Sequence, residues 1–152
     1  MWFSRKKQSE SVAGSGAKAA LTTKSRGDAA EDMALAHLQN QGLKPVQRNF
    51  KTPGRGGGEV DLIMRAADGT LVFVEVRQRA AVSRGGAGGS ITAMKQRRIV
   101  LAARHFLLQL GSIPPCRFDV VLIDGQLPVG GSQAAGARIE WIRGAFEATE
   151  TF

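Results

Sequence analysis

The 152-residue chain holds one cysteine, Cys116, two histidines and no tyrosine. A lone cysteine closes no internal disulfide, and with only His37 and His105 beside it there is no Cys/His set of the kind that binds zinc. A reducing cytoplasm is the expected compartment. The longest apolar run, Ile99 to Ala103, falls far short of the ~18 residues a membrane span requires, so no transmembrane role is expected. Nor does an unbroken apolar stretch near the start read as an export signal. The glycine clusters fit neither GxxxxGK(S/T) nor a strand-anchored GxGxxG, so no nucleotide cofactor is indicated. What is present is enough apolar material, 43% of residues, to bury one core.

Another absence is regional. From residue 76 to 118 there are eight bases and no carboxylate, directly after a stretch (27–75) with five bases and seven acids. The first 26 residues carry +5 and the last 34 carry −3, so the net charge of +8 is strongly segregated. Such a segment suggests a polyanion-binding face, although solvated helix and loop positions would give the same count. Aromatics, at 6%, provide poorly for base stacking. That favours recognition of duplex, branched or structured nucleic acid by shape or backbone over sequence-specific single-strand binding.

Residues 1–25, rich in Ser, Ala, Gly and Lys without apolar periodicity, read as a disordered basic arm, 26–147 as a single α/β domain and 148–152 as a tail. Ser25 and Asp28 approximate a capping box for a helix over 26–40, stopped by Gly42. Glu31 sits at the edge of its apolar stripe. A short strand at 46–51, strands at 59–65 and 71–79 joined by Ala67-Asp68-Gly69, a helix from an N-cap at Ser90 to Leu110, and strands at 117–124 and 139–143 complete the order αβββαββ. On the second helix Lys95, Arg98 and Ala102 share one side, and Ile99, Ala103, Phe106 and Leu110 another. The order predicts a mixed central sheet flanked by helices.

The hairpin at 59–79 carries the chemistry. A three-residue loop with Gly69 left-handed sets Asp61 opposite Glu75, with Cβ atoms about 5 Å apart. Two carboxylates so placed repel unless a cation lies between them, and a hard-oxygen set of this kind, with a backbone carbonyl and waters, suits Mg²⁺ or Mn²⁺. The hairpin taken alone is read equally well as exposed carboxylates paired with Arg77 or Arg79. Val72, Val74 and Val76, which make the strand apolar enough to be central, and the adjacent basic segment favour the metal.

The segments GDAAEDMALAHLQNQGL (27–43), RNF (48–50), GEVDLI (58–63), LVFVEVRQR (71–79), ITAMKQRR (91–98), RFDVVLID (117–124) and IEWIRGAF (139–146) together resemble the bacterial YraN family of predicted nucleases. That family has the restriction-endonuclease-like, PD-(D/E)XK, fold of archaeal Holliday junction resolvases. The resemblance implies a metal-dependent nucleic-acid hydrolase, with Asp61, Glu75 and the carbonyl of Val76 as metal ligands and Glu31 as the acid of the first helix. It departs from the pattern at Arg77, where lysine is expected. Arginine stays charged at any workable pH, so Arg77 can orient a phosphate or stabilise a transition state but cannot serve as a base.

The reading that results is a metal-dependent endonuclease acting on DNA, favoured over RNA, with Glu31, Asp61, Glu75 and Arg77 catalytic. Arg79, Arg84, Lys95, Gln96, Arg97, Arg98 and Arg104 are the expected nucleic-acid contacts. Lys95 or Gln96 is also placed to supply what Arg77 lacks. A non-catalytic nucleic-acid-binding module with a degenerate site, and an interaction protein docking an acidic partner, remain as alternatives. The sequence leaves room for a homodimer. Asp119 is read as structural, paired with Arg117, and the two histidines as ordinary helix residues.

Overall fold

A computed structural model describes residues 23–79, 91–125 and 137–148. The expected arm up to residue 22, Arg84, the GGAGG cluster, Ser90, most of the 125–137 loop and the tail from 149 lie outside those residues.

The hairpin is set by local chemistry. β2 (Glu59–Arg65) and β3 (Leu71–Arg79) have the bounds read from the sequence. Gly69 takes φ 91° and its N–H donates to the Ala66 carbonyl at 2.9 Å, while Asp68 Oδ1 accepts from Thr70 N–H at 3.0 Å. A positive φ here is cheap only for glycine, and it fixes the register Leu62↔Val74 to Arg65↔Leu71. This is the expected register, but the ladder ends before the expected Asp61–Glu75 pair.

β1 (Lys44–Lys51) adds to the other edge of β2, and β4 (Cys116–Asp124) and β5 (Arg138–Phe146) follow β3, giving the sheet order β1-β2-β3-β4-β5. All neighbours are antiparallel except β3 and β4, which run parallel and are joined through α2 (Ala93–Leu110). α1 (Thr23–Asn40) covers one face, where Ala34 and Leu38 pack on Leu62, Val72 and Val74. α2 covers the other, where Ile99, Ala103 and Phe106 pack on Ile63 and Phe73. β3 is thus covered on both sides, which is why its sequence is almost unbroken apolar up to Glu75. The architecture is the expected mixed α/β sheet with two helices in the order αβββαββ. No described helix is long and apolar enough to cross a membrane.

Local expectations differ at the ends. α1 starts at Thr23, so Ser25 and Asp28 lie inside the helix and do not cap it. α2 is capped by Thr92, whose Oγ1 accepts from Lys95 N–H at 3.2 Å; the expected cap Ser90 lies outside the described residues. Its other end is Gly111, left-handed at φ 74°, and Leu110 is 40% exposed because Leu107 fills the core position. β1 starts two residues earlier than read, through Pro45, which an edge strand tolerates. β5 runs on past Gly144 (φ 58°), whose N–H is held by Asp119 beside the irregularity at Phe118/Val120.

Candidate metal centre

Strand side chains ordinarily alternate between faces, but β1 and β2 break that rule at one level. Arg48 reaches α1, ion-pairing with Asp32 at 2.8 Å and Glu31 at 3.5 Å, whereas Phe50, two residues on, packs edge-to-face on Phe106 of α2. Their partners do the same: Leu62 lies in the α1 core and Val60 in the α2 core. The turnover falls at Asn49, with φ 49°, and at Asp61 between the paired positions. Asp61 therefore stands where the strands turn over, near enough to Glu31 of α1 for the two carboxyls to repel.

At the same level β2 parts from β3. Their ladder runs from Arg65↔Leu71 to Leu62↔Val74, and beyond it Asp61 Oδ2 accepts the Val76 N–H at 2.8 Å in place of a main-chain carbonyl. The N–H and C=O of one strand residue lie on the same edge, so Val76 also turns its carbonyl toward this opening. β3 remains paired with β4 from Leu71↔Cys116 to Arg79↔Asp124, including Glu75↔Val120, so the opening is rigid on one side.

Glu75 is buried, 5% exposed, and its Oε2 receives no hydrogen bond. Burial, then the Asp61 carboxylate, pushes its pKa up to about 8, with the Lys95 ammonium offsetting part of the rise. Lys95 Nζ lies 3.2 Å from Glu75 Oε1 and 3.3 Å from Glu59 Oε1. Burial works against that ammonium, yet the two carboxylates hold its pKa above the ordinary lysine value. On the other side Glu31, also buried, accepts from Asn49 Nδ2 at 3.0 Å. Burial and Asp61 raise its pKa against the pull of Asn49 and Arg48.

The residues fit a divalent cation on the strength of Glu75, whose orphaned buried oxygen next to a second carboxylate is the environment a cation relieves. Among the described residues no three His, Cys, Asp or Glu side chains form a ready ligand cluster. Asp61, Glu75 and the Val76 carbonyl would be the protein's share, with water supplying the remainder, as is usual for Mg²⁺.

The other expected residues are distributed around this point. Arg77 is exposed, one residue beyond Val76. Arg79 is clamped on Asp124 by two hydrogen bonds of 2.6 and 2.8 Å. Gln96 turns away to the Ile91 carbonyl at 3.0 Å, and Arg98 contacts Glu59 at 3.4 Å. Arg97 and Arg104 line a surface groove of about 520 Å³ along α2 that also touches Glu147. Asp119 is fully buried and accepts from Arg117, Trp141 Nε1 and Gly144 N–H. Two residues of the site were not anticipated from sequence, Glu59 and Asn49. Glu59 lies two positions from Asp61 on the same strand, and Asn within a strand run is the non-glycine residue most at ease at positive φ.

The sequence profile of a family described as Uncharacterised protein family UPF0102 matches residues 30–123. Similar relatives, each called a UPF0102 protein, include one from Polaromonas naphthalenivorans (strain CJ2), 58% identical over 98% of this chain and all of its own length. One from Polaromonas sp. (strain JS666) is 55% identical over the same shares, and one from Acidovorax sp. (strain JS42) is 58% identical over 88% of this chain and 92% of its own.

Proposed function

The chain belongs to the UPF0102 family, the YraN family its motifs resemble, and we propose that it binds DNA and hydrolyses phosphodiesters with a divalent cation held by Asp61 and Glu75. The observation that carries this reading is the buried Glu75 carboxyl, with one oxygen unpartnered, facing Asp61 across the place where β2 and β3 separate. When bound, Mg²⁺ or Mn²⁺ would lower the pKa of an attacking water and polarise the phosphoryl oxygens. The chain's own residues do the rest. Asp61 is fixed through one oxygen by the Val76 N–H, which leaves the other to serve a ligand. Lys95 keeps a positive charge against Glu75, and Arg77 offers a fixed cation on the exposed side of the same strand. The acid-free segment that starts at Val76 supplies bases for the phosphates flanking the scissile one, with Arg97 and Arg98 exposed on α2.

A second reading, a nucleic-acid-binding module without efficient cleavage, is favoured by Arg77. An arginine there cannot take a proton from water.

The two are separated by incubating the protein with linear, nicked, flapped and four-way-junction DNA, and with matched RNA, in Mn²⁺ or EDTA. Cleavage in Mn²⁺ that is lost in Asp61→Ala and in Glu75→Ala supports hydrolysis, and cleavage that survives both substitutions rejects the site. Tight binding without cleavage favours the module. Binding that hardly weakens between low and moderate salt would count against phosphate contacts altogether.

A further inference from the structure

Among the described residues Asn49 is the one non-glycine residue with positive φ, at 49°. It lies on an exposed stretch of the edge strand β1, where solvent alone demands no such conformation. Two things happen there. The backbone turns over, sending Phe50 to the α2 core after Arg48 has faced α1. The side-chain amide, meanwhile, donates to Glu31 Oε2 at 3.0 Å, with Arg48 Nη2 3.5 Å from the same oxygen.

Glu31 needs such a hold. It is 9% exposed and feels the like charge of Asp61, so without donors its carboxylate would swing toward water. The backbone requirement at 49 can be met by glycine, which takes positive φ freely. The amide requirement cannot. Asparagine is the residue that does both, since it tolerates the left-handed region better than other side chains and carries a donor.

We infer that Asn49 is a positioning residue of the metal-dependent centre, holding the Glu31 carboxylate beside Asp61 so that α1 contributes a third acidic group to the site. This rests on the hydrolase reading above. The amide orients the carboxylate much as outer-shell partners orient metal ligands, whose loss typically costs about 10- to 100-fold in metal affinity or activity.

The test uses the full chain with Mn²⁺ affinity from calorimetric titration, DNA cleavage rate and melting temperature measured side by side. Asn49→Gly is expected to melt at or above the native temperature while Mn²⁺ affinity and cleavage fall about 10- to 100-fold. Asn49→Asp, which replaces the donor by a like charge, is expected to fall further. In a Glu31→Gln background, Asn49→Gly is expected to change either readout by less than about twofold, because both substitutions remove the same arrangement. Native affinity and rate in Asn49→Gly would show that only the backbone conformation matters, and losses that multiply in the double variant would show that Asn49 does not act through Glu31. Either result overturns the proposal while leaving the hydrolase reading standing. A native protein that neither binds Mn²⁺ nor cleaves any substrate overturns that reading first, and the positioning role with it.

Discussion

Lys95 Nζ, from the first turn of α2, lies 3.2 Å from Oε1 of Glu75 on β3. Two residues past Glu75 the strand carries an exposed arginine, and Lys95 brings a cation to the buried carboxylate from the helix layer.

Lys95 is held charged, which makes it an electrostatic element and not a proton acceptor. Lys95→Met is therefore expected to lower cleavage about a hundredfold, whereas Lys95→Arg stays within about tenfold of the native rate. Steady-state rates in Mn²⁺ check this. An unchanged rate in Lys95→Met would remove the residue from the mechanism.

Glu75 gives a pH signature. Between the ordinary carboxylate value of 4.5 and about 8 the folded protein holds a proton on Glu75 that the unfolded chain has released. The folded state binds more protons across that window, so its stability falls as pH rises through it. Glu75→Gln should match the native protein near pH 5 and exceed it by on the order of a few kcal/mol above pH 8. Urea denaturation at the two pH values is the measurement, and a native stability that does not fall between them would contradict a buried, proton-holding carboxyl.

Gly58 is buried where the loop before β2 meets α2, and a Cβ there would collide with the backbone of Arg98 and Ala102. Backbone atoms of a helix cannot step aside individually. Gly58→Ala should cost about 1–3 kcal/mol and shift α2, and with it Lys95, relative to Glu59 and Glu75. Thermal melting reads the first effect and Mn²⁺ titration the second. A variant as stable as the native protein would show that the helix yields without cost.

Asp119, on β4 beside the register partner of Glu75, spends its carboxylate on the β4–β5 packing. It is fully buried, and it binds Arg117 through both oxygens at 2.8 and 3.0 Å, Trp141 Nε1 at 2.9 Å and Gly144 N–H at 2.9 Å. Asp119→Ala strands all three donors and should cost about 3–5 kcal/mol in denaturant unfolding. Cleavage per folded molecule should be unaffected. A selective loss of activity at native stability would move Asp119 from scaffold to site.

How much of this was legible beforehand follows from which forces are local. The β2–β3 hairpin and its register from Leu62↔Val74 to Arg65↔Leu71 are written in the Asp-Gly turn and the valine alternation, whereas the parting of the strands before Asp61 and Glu75 is not. The left-handed stop at Gly111 is equally local. The cap at Thr92 lies two residues past the expected Ser90, and two hydroxyl residues so close in sequence offer the same hydrogen bond. The reach of Lys95 to Glu75 depends on how far α2 settles onto the sheet, an approach that the bare backbone of Gly58 permits. The basic segment looked uniform in sequence, yet the fold divides it: Arg79 is occupied by Asp124 and Lys95 by carboxylates, while Arg97 remains exposed. Least readable was the turnover at Asn49, since periodicity assumes that alternation never breaks.

That turnover also bears on cooperativity. The α1 and α2 cores sit on opposite faces of the sheet, and the stretch from Asn49 to Asp61 is where a single strand pair has a stake in both. A ligand gripping Asp61 would fasten the two cores together from the middle. Opening of either half would then break the same grip, so amide hydrogens beneath both helices should slow their exchange together when the site is filled.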